Sequence, residues 1–118
     1  LGLPEGYYFP FRFAGGPAPL AHPDEAPDDF AFTKRQIGLI LPRRPLIKTA
    51  YVFGHQDCAY YKEFLPEFRG KEKKDLPVIE SAIRQFFPQI EQIRLYYTFP
   101  DGDEVRFERV NESALQPV

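Results

Sequence analysis

Apolar and polar positions in this chain follow two different periods, and the places where the period changes outline the fold. Residues 7–13 (Tyr-Tyr-Phe-Pro-Phe-Arg-Phe) are aromatic-rich and predict a strand, with Pro10 marking an edge or irregular one. Ala14-Gly15-Gly16-Pro17 breaks it. Pro17, Pro19, Pro23 and Pro27, with acidic residues between them, predict a loop. Asp28 or Asp29 then caps a helix running to about Leu41, before Pro42, with Phe30, Ile37 and Leu41 on one face. Residues 47–54 are nearly all apolar, β-branched or aromatic, which predicts a central strand buried on both faces.

A helix is expected over residues 56–65, followed by a charged, exposed connection at 69–74. Asp75 is read as the cap of a third helix, with Pro77 in its first turn. Leu76, Ile79, Ile83, Phe86 or Phe87, and Ile90 keep helical spacing along it, and Glu80 with Arg84 forms an exposed i,i+4 pair. Residues 92–99 read as a strand, Asp101-Gly102 as a hairpin turn, and 104–110 as its return. Residues 111–118 read as a loose tail. The alternation of strands and helices predicts an α/β fold. The expected arrangement is a three-layer sheet with parallel central strands, flanking helices and an antiparallel C-terminal edge hairpin.

The length, 118 residues, corresponds to one domain over 1–118. A net charge of −2 makes no electrostatic case for nucleic acid, so no nucleic-acid partner is expected. No apolar run is long enough for a membrane span, and no signal peptide is legible. A single cysteine excludes an internal disulfide framework and fits a reducing, cytoplasmic setting. Methionine is absent, which predicts a processed or trimmed chain.

That cysteine lies in the segment with the most chemistry. Gly54-His55-Gln56-Asp57-Cys58 follows the apolar strand and opens the next helix. Imidazole and thiolate are both zinc ligands, and at three-residue spacing on one helical turn they face the same way. Ligands in sheets of this class bind beyond the carboxyl ends of strands, which is where this turn lies. The bland alternative is a core cysteine beside a capping histidine. A third reading makes Cys58 a redox or nucleophilic thiol activated by His55. Asp57 is the candidate catalytic group, orienting a ligand or the neighbouring backbone, with helix capping as its alternative. Arg12 is a candidate for an anionic substrate, or else the partner of a carboxylate. His22, Asp24, Glu25, Asp28 and Asp29 offer further donors, or simply a solvated loop. Tyr60 and Tyr61 either line a pocket or pack.

The strand ending in Gly54-His55-Gln56-Asp57-Cys58-Ala59 resembles the second metal motif of the β-class carbonic anhydrases. Arg12-Phe13-Ala14-Gly15-Gly16 is similar to their Arg-x-Ala-Gly segment. Leu95-Tyr96-Tyr97 followed by an Asp-Gly hairpin resembles a short, divergent branch of that family. The resemblance covers roughly residues 7–110. It implies a zinc lyase that hydrates carbon dioxide to bicarbonate reversibly, a metal held by His55 and Cys58, and a homodimer. The family also supplies ligands from an upstream Cys-x-Asp-x-Arg strand. This sequence contains no such motif, and Ala59 replaces the family glycine. The expectation is therefore a domain lacking its first strand, or a degenerate, non-catalytic member that binds or oligomerises.

Overall fold

A computed structural model describes residues 16–56 and 58–110. The predicted strand at 7–13, with Arg12, lies outside the described residues, as do Asp57 and the tail from 111. The elements in order are α1 (Pro27–Ile40), β1 (Thr49–His55), α2 (Ala59–Phe64), α3 (Glu72–Phe86), β2 (Gln92–Asp101) and β3 (Glu104–Arg109). Short 3-10 turns occupy Ala18–Ala21, Leu41–Arg43 and Pro66–Phe68.

β2 is the middle strand of the described sheet. It pairs in parallel with β1, from Thr49 opposite Gln92 to His55 opposite Thr98. It pairs antiparallel with β3, from Tyr96 opposite Arg109 to Asp101 opposite Glu104. The mixed helix-and-strand fold with a parallel pair and an antiparallel hairpin agrees with the sequence reading. The two-residue turn between β2 and β3 has Gly102 at φ +66°, a left-handed conformation that glycine adopts without steric cost.

β1 departs from expectation. It forms an edge of the described sheet, and among the described residues only one of its faces is covered. Val52 is buried, with Leu95 and Ile93 beside it on β2, beneath α3. On the opposite face Tyr51 and Phe53 are 45% and 46% exposed, stacked on Tyr96, with Phe107 of β3 edge-on to Phe53. An apolar run without polar alternation reads as a two-sided strand because hydropathy alone does not distinguish a core side chain from an aromatic one standing on an open face.

The core lies between the sheet and α3. Leu76, Ile79, Ile83, Phe87 and Ile90 pack with Val52, Ile93 and Leu95, and Leu76 and Leu95 are fully buried. α1 closes one side through Phe30 against Phe86, with the Lys34 ammonium 4.0 Å from the Phe86 ring centre.

The helix boundaries differ in instructive ways. α1 begins at Pro27 after Ala26, which makes no side-chain cap, so Asp28 and Asp29 sit inside the first turn. There they stabilise the positive end of the helix rather than capping it. α3 begins at Glu72, three residues before the expected cap, and Pro77 lies inside it. Arg69, Lys71, Lys73 and Lys74 are exposed as expected, but residues 72–74 already belong to α3, and Glu72 and Asp75 are buried. Glu80 binds Arg84 as expected, through 2.7 and 2.9 Å hydrogen bonds to Oε2, but it is 3% exposed and its Oε1 has no hydrogen-bond partner among the described residues.

Candidate functional site

β1 delivers the site. Its last residue, His55, is still part of the ladder, and the next amide, Gln56 N–H, donates to Thr98 O at 2.9 Å. α2 starts only at Ala59, with Cys58 at its N-cap in an extended conformation. The two candidate ligands therefore do not share one helical turn, as the spacing suggested. His55 ends a strand and is exposed, whereas Cys58 precedes a helix and is 4% exposed. They nonetheless line one cavity of about 20 Å³, together with Gly54, Tyr61, Glu72 and Leu76. That volume holds about one water molecule.

Gly54 determines how closely α3 approaches this corner. A Cβ there would lie 3.3 Å from Leu76 Cδ2 and 3.6 Å from Glu72 O. The missing side chain lets the first turn of α3 pass under the end of β1. Glu72 thereby reaches the Cys58 turn, and its Oε2 accepts the Cys58 N–H at 3.3 Å.

One helical turn along α3, Asp75 is the hub of a second set of contacts. Its Oδ2 accepts the Tyr61 hydroxyl at 2.6 Å and His22 Nε2 at 2.7 Å. His22 Nδ1 lies 3.1 Å from Glu25 Oε1, and its ring packs on Phe68. His22 is 3% exposed, so it is not part of a solvated loop, whereas Asp24, Glu25, Asp28 and Asp29 are exposed. Tyr60 donates to Asp29 Oδ2 at 2.6 Å and ties α2 to α1. Burial, then the hydrogen bond to a carboxylate, pushes both Tyr60 and Tyr61 well above the usual phenol range. Both stay neutral at any physiological pH.

Sequence reading missed Glu72, Asp75 and His22 as partners. A signal for the first existed. With the helix extended backwards, Glu72, Leu76 and Ile79 fall at i, i+4 and i+7, on the core face. His22 gave none, because its partner is 53 residues away.

As a zinc site the described residues are incomplete. His55 and Cys58 have the right donor chemistry and share a cavity wall, but among the described residues no group of three or more His, Cys, Asp or Glu converges to hold a metal. Catalytic zinc takes three protein ligands and a water. The described residues therefore do not fit a complete catalytic centre.

Among the described residues no helix is long and apolar enough to cross a membrane. No family model, curated protein or solved structure matches the chain.

Proposed function

We propose that this chain is a β-carbonic-anhydrase-like α/β domain whose His55 and Cys58 contribute two ligands to a zinc ion. One observation carries the reading: the end of a strand in a parallel pair presents an imidazole, and the following turn a thiol, to the same small cavity. Ligand sites of α/β sheets form at such strand ends. When bound and fully coordinated, zinc supplies a hydroxide nucleophile at neutral pH. The associated reaction is reversible hydration of carbon dioxide to bicarbonate. On this reading Asp57 orients a ligand, Arg12 faces the bicarbonate anion, and the remaining zinc donors come from outside the described residues. On the same reading a third layer, supplied from outside the described residues, would cover the Tyr51–Phe53 face, which the described residues leave exposed. The homodimer that the resemblance implies is measurable by sedimentation.

The shortfall of donors sets the expected behaviour of the chain itself. It binds zinc weakly and hydrates carbon dioxide little or not at all. Extending it upstream with a Cys-x-Asp-x-Arg strand raises both. In that extended protein, Cys58→Ser removes the metal, because a neutral hydroxyl is a poor substitute for thiolate on a borderline-soft ion. Elemental analysis of zinc per chain and a carbon dioxide hydration assay make the test. Near-stoichiometric zinc in the Cys58→Ser protein would show that the ion sits elsewhere.

The alternative is a non-catalytic member of the same fold, acting through binding or oligomerisation, and the count of two donors among the described residues favours it. Both chains free of zinc and inactive would decide for it. The redox reading is the least supported, since a buried thiol is poorly placed to meet an oxidant.

A further inference from the structure

We infer that Glu72 and Asp75 act together as a clamp that positions the Cys58 turn. They stand one helical turn apart on α3, at i and i+3. Their targets, Cys58 and Tyr61, have the same spacing across the start of α2. Glu72 Oε2 holds the backbone N–H of Cys58 at 3.3 Å, and Asp75 Oδ2 holds the Tyr61 hydroxyl at 2.6 Å. Two matched grips fix both the position and the rotation of this short helix, which one alone would not.

The need for such a device is local. α2 has six residues, too few to be stable alone, and Cys58 makes no side-chain cap. With its backbone held by Glu72, the thiol has no capping role and lines the cavity beside His55. Asp75 is held in turn by His22 Nε2 at 2.7 Å, in a buried contact that links the loop before α1 to the clamp. Glu72, Asp75 and His22 are 3%, 8% and 3% exposed, so these contacts are shielded from competing water. The clamp is a positioning device and none of its carboxylates is assigned to the metal. It deepens the zinc reading, because groups that orient ligands govern metal affinity.

The single cysteine makes the test specific, since any thiol reagent reports on Cys58 alone. Iodoacetamide labelling of the metal-free native protein is compared for wild type, Glu72→Ala and Glu72→Gln, with circular dichroism melts alongside. Glu72→Ala should label about tenfold faster, the factor that loss of one hydrogen bond of about 1.4 kcal/mol gives. Glu72→Gln should stay within about threefold of wild type, because its amide oxygen still accepts the Cys58 N–H. A folded Glu72→Ala protein labelling at the wild-type rate would overturn the clamp, and so would a Glu72→Gln protein as fast as Glu72→Ala. If Glu72→Ala does not fold, hydrogen exchange in wild type decides. The clamp predicts a protected Cys58 amide, and exchange at the rate of a free loop would refute it. These measurements need no metal. Failure of the extended protein to bind zinc would therefore count against the zinc reading and leave the clamp intact.

Discussion

Single side chains at the strand end account for most of what the site can do. Gly54 is tightly constrained. Gly54→Val should destabilise the fold by about 1–3 kcal/mol, because its added atoms meet Leu76 and the Glu72 backbone at close range. Gly54→Ala should cost less, since the nearest contact is the movable end of a leucine. Urea denaturation with unchanged m-value is the measurement, and a Gly54→Val midpoint equal to wild type would show that α3 can retreat. The tyrosines make a pH prediction. Tyr60 and Tyr61 have folded pKa values raised above that of the unfolded phenol, about 10. Their contribution is therefore complete below pH 10 and is lost as pH rises from there toward the folded values, because unfolding then releases protons. The urea midpoint should fall above pH 10, and less steeply in Tyr61→Phe. That variant should also lose about 1–3 kcal/mol at neutral pH, as buried Asp75 loses one donor. His55 and Cys58 stood out in the sequence because their side chains carry rare chemistry. Their surroundings did not, because carboxylates look like surface residues until the partner that buries them is known.

At the scale of elements, hydrophobic spacing served well wherever one face meets the core. It placed α1, α3 and the hairpin to within a few residues, and it identified Leu76, Ile79, Ile83 and Ile90 as core, leaving Phe86 or Phe87 open. It failed where polar residues turn inward. Asp75 before Leu76-Pro77 looks like a helix cap, yet the helix already runs through it because Asp75 faces Tyr61 and His22 instead of its own backbone. Pro77 consequently sits in the second turn, where it deprives the Lys73 carbonyl of its helical partner. Pro77→Ala should raise stability by about 1–3 kcal/mol, within the known range for proline inside helices. A lower melting temperature for Pro77→Ala would mean that the ring's own packing outweighs the missing bond. The length of α2 was overestimated for a related reason. Gln56 turns away after the strand and Cys58 is the N-cap, and no periodicity marks where a ladder gives way to a helix.

For the molecule as a whole, the sheet joins two kinds of pairing around β2, and this sets a sequence of events. β2 and β3 are joined by a two-residue turn, so their contacts are local. Such hairpins close in about 1–10 μs. β1 must find β2 across the whole segment carrying α2 and α3, and its partners begin 43 positions away, Thr49 with Gln92. Closing a loop of that length is entropically unfavourable until α3 supplies a surface to dock on. The turn with His55 and Cys58 hangs on the late strand, so the site should be the last part of the chain to acquire its native form. Val52→Ala, in β1, should then mainly speed unfolding, while Leu95→Ala, in β2, should mainly slow folding. Stopped-flow chevrons separate the two, and a Val52→Ala protein whose whole stability loss appears as slower folding would reverse the order. A site completed at the final docking step is also the first to come apart. The strand end with His55 and Cys58 can open while α3 and the hairpin remain in place, so on the zinc proposal an ion held there by the extended protein would act as a kinetic lock on unfolding, holding the last-formed strand against the sheet.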